Sequence, residues 1–196
     1  MKYSELFEGA TPSFYDTSAV WLHGGPSVLK GGALTRFGKN GGDYGALFFC
    51  KDETVGRWYV ASYAGTNGRV WSAKLSAPVD TVCDITNVKH RAILRANLDP
   101  QEFEGYMSTR GSSGHLDWAS IDTDRLEEIG FRGCVFQERP AGMETNLPAS
   151  TGMAKLPYPV ISVGIFSASD VHITGSIESP YTSTEKLEKF IGLPLK

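Results

Sequence analysis

The chain is poor in cysteine and in long runs of any one kind. Its three cysteines, Cys50, Cys83 and Cys134, are an odd number set far apart. That pattern fits neither a Cys-x-x-Cys zinc pair nor a disulfide framework. Each lies in an apolar, strand-like stretch, where a free thiol packs as a small hydrophobe. No stretch approaches the about 18 consecutive apolar residues of a membrane-spanning helix. Residues 1–10 include Glu5 and Glu8 and lack the apolar core, about 7–15 residues long, of a secretory signal. The expectation is a cytoplasmic protein with no membrane partner. Lys and Arg number 19, Asp and Glu 22, for a net charge of −3 with no run of one sign, which disfavours a nonspecific phosphate-binding surface.

Recognisable sites are also missing. There is no Gly-x-x-x-x-Gly-Lys phosphate loop, no Gly-x-Gly-x-x-Gly, no His-Glu-x-x-His, no Gly-x-Ser-x-Gly elbow and no EF-hand loop. His23, His90, His115 and His172 have no partners at metal-ligand spacing, so no metal site is expected. Ser112 and Ser113 precede His115, but residues so close in sequence share one loop and rarely make a catalytic triad.

What is present is a globular balance, with 41% hydrophobic and 21% charged residues, enough for one packed domain over 1–196. Glycine is in excess, 22 of 196 residues where about 7% is usual, and the excess lies mainly in 24–45, read as a loop or series of turns. Ahead of it 19–23 (AVWLH) reads as a buried strand closed by Gly24, Gly25 and Pro26. Strands are also expected at 45–50 (GALFFC), 69–75, 81–85, 133–137, 160–166 and 171–177, and a helix at 54–64. Asn87 caps a helix to Leu98, Asp99-Pro100 opens a second through about 107, and together they form a helical insertion at 87–107. Helices are further expected at 122–129, stopped by Gly130, and at 184–191. Strands outnumber helices without alternating with them, which points to an α+β fold. The stretch 139–159 has four prolines and reads as a long functional loop.

Three pieces stand in a telling order. Leu22-His23-Gly24-Gly25 ends the first strand, GALFFC at 45–50 is followed by Tyr63-Ala64, and GFRGCVFQE at 130–138 precedes the final strands. With the ending VGIFSASDVHI at 163–173, this set resembles the ADP-ribosyltransferase superfamily, in its poly(ADP-ribose)polymerase-like and diphtheria-toxin-like branch, and in particular its compact phage and bacterial members. The resemblance covers roughly 20–173. It implies two small, mostly antiparallel sheets around an NAD cleft. The implied activity is mono-ADP-ribosyl transfer from NAD to a macromolecular acceptor, a protein ahead of a nucleic acid. It also implies a phage or toxin-like effector acting in the host cytoplasm. Water as acceptor would make the same fold an NAD glycohydrolase, and loss of catalysis would leave a silent NAD-binding module.

The chemistry suits these residues. Breaking the bond between nicotinamide and ribose leaves oxocarbenium character on the sugar. His23 on a strand end can hydrogen-bond a ribose hydroxyl, and Gly24 lets bare backbone approach the carboxamide. Phe48, Phe49, Tyr59 and Tyr63 are the aromatic candidates for holding the ring, Tyr63 standing at the family's Tyr-Ala position. The resemblance implies Glu138 as the carboxylate that meets the developing charge, on the variant placement in which the acid ends the preceding strand; the place near Ser162, where polymerase-like members often carry the acid, departs from the pattern in having no carboxylate, and Glu144 and Asp170 stand in reserve. Each of these residues also has a packing role open to it. His23 can be a core histidine, Phe48 and Phe49 point to opposite faces of a strand, so that at least one belongs to the core, and Tyr59 and Tyr63 can pack a helix on a sheet. The 139–159 loop, beginning next to Glu138, is expected to select the acceptor.

Overall fold

The computed structural model describes residues 13–26, 45–60, 68–117, 121–137 and 160–178. Four expected features lie outside them: most of the glycine-rich stretch, Tyr63, Glu138 with the loop that follows it, and the helix at 184–191.

Two sheets carry the fold. The three-stranded sheet has the order β1-β3-β8, with β1 at Trp21–Pro26, β3 at Gly68–Leu75 and β8 at Val171–Glu178, all antiparallel. The five-stranded sheet runs β2-β7-β6-β4. In it Leu47–Phe49 (β2), Ile161–Ile165 (β7) and Gly133–Gln137 (β6) are antiparallel neighbours. Val82–Cys83 (β4) and Leu116–Asp117 (β5) both pair with β6 in parallel. The α+β class with two mostly antiparallel sheets is therefore present. The sheets meet at one corner, where Leu22 and Cys50 exchange backbone hydrogen bonds of 2.8 and 2.9 Å.

Alternation along β3 decides the layers. Ala73 and Leu75 are buried between the sheets with Trp21, Phe49, Val135 and Val163. Val70 faces the other way, and Gly56 of α1 (Glu53–Tyr59) lies so close that an added Cβ would meet Val70 Cγ1 at 3.0 Å. Helix α1 thus covers the outer face of the three-stranded sheet. Helices α2 (Val88–Asn97), α3 (Pro100–Ser108) and α4 (Thr123–Ile129) cover the outer face of the other, through Leu94, Phe103, Tyr106 and Leu126.

The helix ends follow local chemistry. Asn87 accepts from Lys89 N, and Asp99 with Glu102 makes a reciprocal capping box ahead of Pro100. Asp122 caps α4, which stops where Gly130 turns left-handed at φ 103°. All three cysteines are buried free thiols, and burial pushes the Cys83 and Cys134 thiols well up.

The strands expected at 45–50 and 81–85 are shorter, Leu47–Phe49 and Val82–Cys83, and the first strand is misplaced. Strand β1 does not stop at Gly24 but runs through Gly25 and Pro26, paired to Val70, Arg69 and Gly68. Gly24 is needed because α1 lies against it: an added Cβ would sit 2.3 Å from Gly56 O and 2.6 Å from Tyr59 Cβ.

Candidate functional site

His23 sits on the inner face of β1, buried, opposite Trp71 of β3 and 5.5 Å from the Phe49 ring centroid. Its Nδ1 is 2.7 Å from the carbonyl oxygen of Phe48. A carbonyl can only accept, so Nδ1 carries the proton and Nε2 of the neutral ring is an acceptor. Burial, outweighing that hydrogen bond, lowers the ring's pKa and keeps it neutral. Nε2 has no hydrogen-bond partner among the described residues. It points over Gly25, where an added Cβ would come to 3.0 Å from Nε2 and 3.7 Å from Trp71 Cδ1. The result is an oriented acceptor above bare backbone, walled on one side by an indole.

Beyond this row the inner face turns polar. Cross-strand register sets Gly25 beside Arg69 and Arg69 beside Glu178, and sets Trp71 beside Ser176. Arg69 Nη2 is 2.8 Å from Glu178 Oε1 and its Nη1 donates to Ser176 Oγ at 3.1 Å. Arg57 of α1, paired with Glu53, donates to the Glu178 backbone oxygen at 3.2 Å and holds the end of β8. At the opposite end of the same face the side chains are apolar.

The expected ligand residues scatter when placed in this frame. Phe49 lies in the inter-sheet core at 1% exposure, backing His23 rather than offering an open face. Phe48 turns to the other side, edge-on to Phe136 at 5.7 Å, and its contribution near His23 is its carbonyl. Gly24 packs on α1 with Tyr59, so of the two glycines it is Gly25 that lies beside the ring. Asp170 is buried and paired through Oδ1 with Arg132, its Oδ2 without a partner among the described residues, at the far end of β8 from Glu178. Ser162 is also buried, its hydroxyl without a partner, and it shares a face of β7 with Gly164, which packs on Cys134 and Phe136. A carboxylate there would be an uncompensated buried charge.

Glu138 and Tyr63 lie outside the described residues. Gln137, just before Glu138, ends β6, which is reached from β1 by way of β2 and β7. That path is three strand spacings, roughly 14 Å.

A second polar centre escaped the sequence reading. Asp84, fully buried at the end of β4, accepts from Thr86 N (2.9 Å), Thr86 Oγ1 (2.6 Å) and Phe14 N (3.3 Å). Its own N–H donates to His90 Nδ1 at 2.9 Å, and His115 Nε2 stands 3.8 Å from Oδ1. Ser113 Oγ is 3.1 Å from His115 Nδ1. These are not a triad, because the Asp84 to His115 distance is beyond hydrogen bonding and the Asp84 oxygens already hold the chain together. The Asp-x-Thr spacing of 84–86, a side-chain turn signature, was the available signal.

Among the described residues no group of three or more His, Cys, Asp and Glu could hold a metal ion, and no helix is long and apolar enough to cross a membrane. Compared with known proteins, the chain matches no family model, no curated protein and no solved structure.

Proposed function

We propose that the chain is a mono-ADP-ribosyltransferase that uses NAD as substrate and releases nicotinamide. The observation that carries this reading is the His23 ring, fixed through Nδ1 on the Phe48 carbonyl, with its Nε2 acceptor over Gly25 and without a hydrogen-bond partner among the described residues. An oriented acceptor over bare backbone, with no hydrogen-bond partner among the described residues, suits a hydroxyl-rich ligand such as the nicotinamide ribose. Trp71, absent from the sequence-based candidates, supplies an aromatic wall beside it. The two-sheet arrangement agrees with the class that the His-Gly, GALFFC and GFRGCVFQE pieces imply.

In this reading His23 accepts a hydrogen bond from a ribose hydroxyl and orients the sugar, while Glu138 stabilises the positive charge that develops as nicotinamide leaves. A nucleophile of the acceptor then bonds to the ribose carbon. The experiment is incubation with labelled NAD and a cell lysate, followed by assay of free nicotinamide and mass analysis of whatever is labelled. Nicotinamide release with a labelled macromolecule is the expected result. Release without label makes the protein an NAD glycohydrolase, and no release ends the catalytic reading.

A further inference from the structure

We propose that Arg69 is the diphosphate-binding cation of the site and that Glu178 occupies its place until the ligand arrives. The inference rests on the dinucleotide reading above and adds the group that takes the charge of that ligand. Direct cross-strand partners of an antiparallel sheet point to the same side. The row Gly25, Arg69, Glu178 therefore shares the inner face with the row His23, Trp71, Ser176. One row to the next on a face is two residues, about 7 Å. A dinucleotide whose ribose sits at His23 carries its diphosphate on the 5′ carbon of the same sugar, so a cation is needed about one row away. Arg69 is that cation.

The guanidinium is held in a way that a ligand can exploit. Ser176 Oγ accepts from Nη1 and orients the fork, while Glu178 Oε1 takes Nη2. The Glu178 side chain is 82% exposed and that of Arg69 36%, so their pairing is screened and weak. A phosphate offers the fork two charged oxygens together and makes the stronger contact. On binding, the carboxylate swings into solvent and the phosphate oxygens replace it, with no bond broken. The Ser176 hydroxyl stays in place and can donate its proton to the phosphate. Glu178 is then a competitor, and its removal should help binding, the opposite of what a clamp between β3 and β8 requires.

The test measures binding of NAD, of inorganic pyrophosphate and of phosphate-free nicotinamide riboside to the wild type, R69Q and E178Q. We expect R69Q to weaken NAD and pyrophosphate at least tenfold and E178Q to tighten both several-fold, with nicotinamide riboside unchanged in either variant. Should R69Q fail to fold, the sign of the E178Q effect decides alone. Weaker or unchanged pyrophosphate binding in E178Q overturns the proposal, as does an R69Q loss that is the same for nicotinamide riboside. The two readings fail separately. Pyrophosphate bound through Arg69 without NAD binding removes the dinucleotide reading and leaves the anion subsite. NAD bound with no dependence on Arg69 does the reverse.

Discussion

Asp84 and His23 are both polar groups withdrawn from water, and they differ in what is left over. Around Asp84 the donors of Phe14 and Thr86 converge on the carboxylate, and the backbone N–H of Asp84 is taken by His90. That centre ties the segment before β1 and the entry to α2 to one point. His23 spends one ring nitrogen on the Phe48 carbonyl, and the other, beside a glycine, has no hydrogen-bond partner among the described residues. The difference separates a buried polar group that serves the fold from one that serves a ligand. A fully internal network rigidifies, whereas an oriented acceptor with no partner among the described residues is open to a ligand.

The most severe way to break that comparison is Asp84→Ala. It leaves three donors facing a void and should cost about 3 kcal/mol or more of stability, read as a lower urea midpoint. His23→Ala takes the donor from the Phe48 carbonyl and removes a buried ring packed on Phe49, and should cost about 2 kcal/mol while weakening NAD binding. Equal losses of stability in the two variants would erase the distinction.

The neighbouring glycines sharpen it. Gly24→Ala drives a methyl into the Gly56 carbonyl oxygen at 2.3 Å, and because backbone cannot yield, about 3 kcal/mol is expected. In Gly25→Ala the methyl meets the His23 and Trp71 side chains at 3.0 to 3.7 Å. We expect under about 1 kcal/mol of destabilisation with loss of NAD affinity. Thermal melts paired with titration calorimetry separate the two.

Acidification should follow from three rings held neutral. Burial lowers the pKa values of His23, His90 and His115 below their ordinary 6.5, against the opposing pull of Asp84 on the latter two. The unfolded chain then binds more protons than the fold does. Stability is fully present above pH 6.5 and falls as the pH drops through the lowered values. The limiting slope is about 1.4 kcal/mol per pH unit for each ring still neutral in the fold. His90→Phe or His115→Phe should each flatten this slope in denaturant titrations between pH 7 and 5; an unchanged slope in both would show that other groups set it. Gly130→Ala, at a left-handed helix stop, is expected to cost about 1 kcal/mol in the same measurement.

Legibility in the sequence followed locality. The Asp99-Pro100 and Asp122 to Gly130 signals placed α3 and α4 nearly to the residue, since caps are written into adjacent side chains. Strand β6 was bounded correctly by its glycine and its apolar run. Strand β1 was cut short because glycine usually ends a strand, and only the arrival of α1 and the His23 ring explains why two glycines continue it. β5 is two residues on a parallel edge, with no periodic signal to betray it. Of the site, His23 was visible through its Gly-Gly context. Trp71 shares a face of β3 with Ala73 and Leu75, but its place beside His23 is a matter of cross-strand register, which no local pattern encodes. Gly24 was chosen over Gly25 because a motif names positions and not faces.

The measurement that bears most directly on the central claim is nitrogen NMR of the His23 ring during titration with NAD. The account predicts a neutral ring protonated at Nδ1 in the free protein, with the Nε2 resonance moving as NAD saturates and the Nδ1 proton staying on the Phe48 carbonyl. A ring protonated at Nε2, or an Nε2 resonance that does not move at saturating NAD, would contradict it.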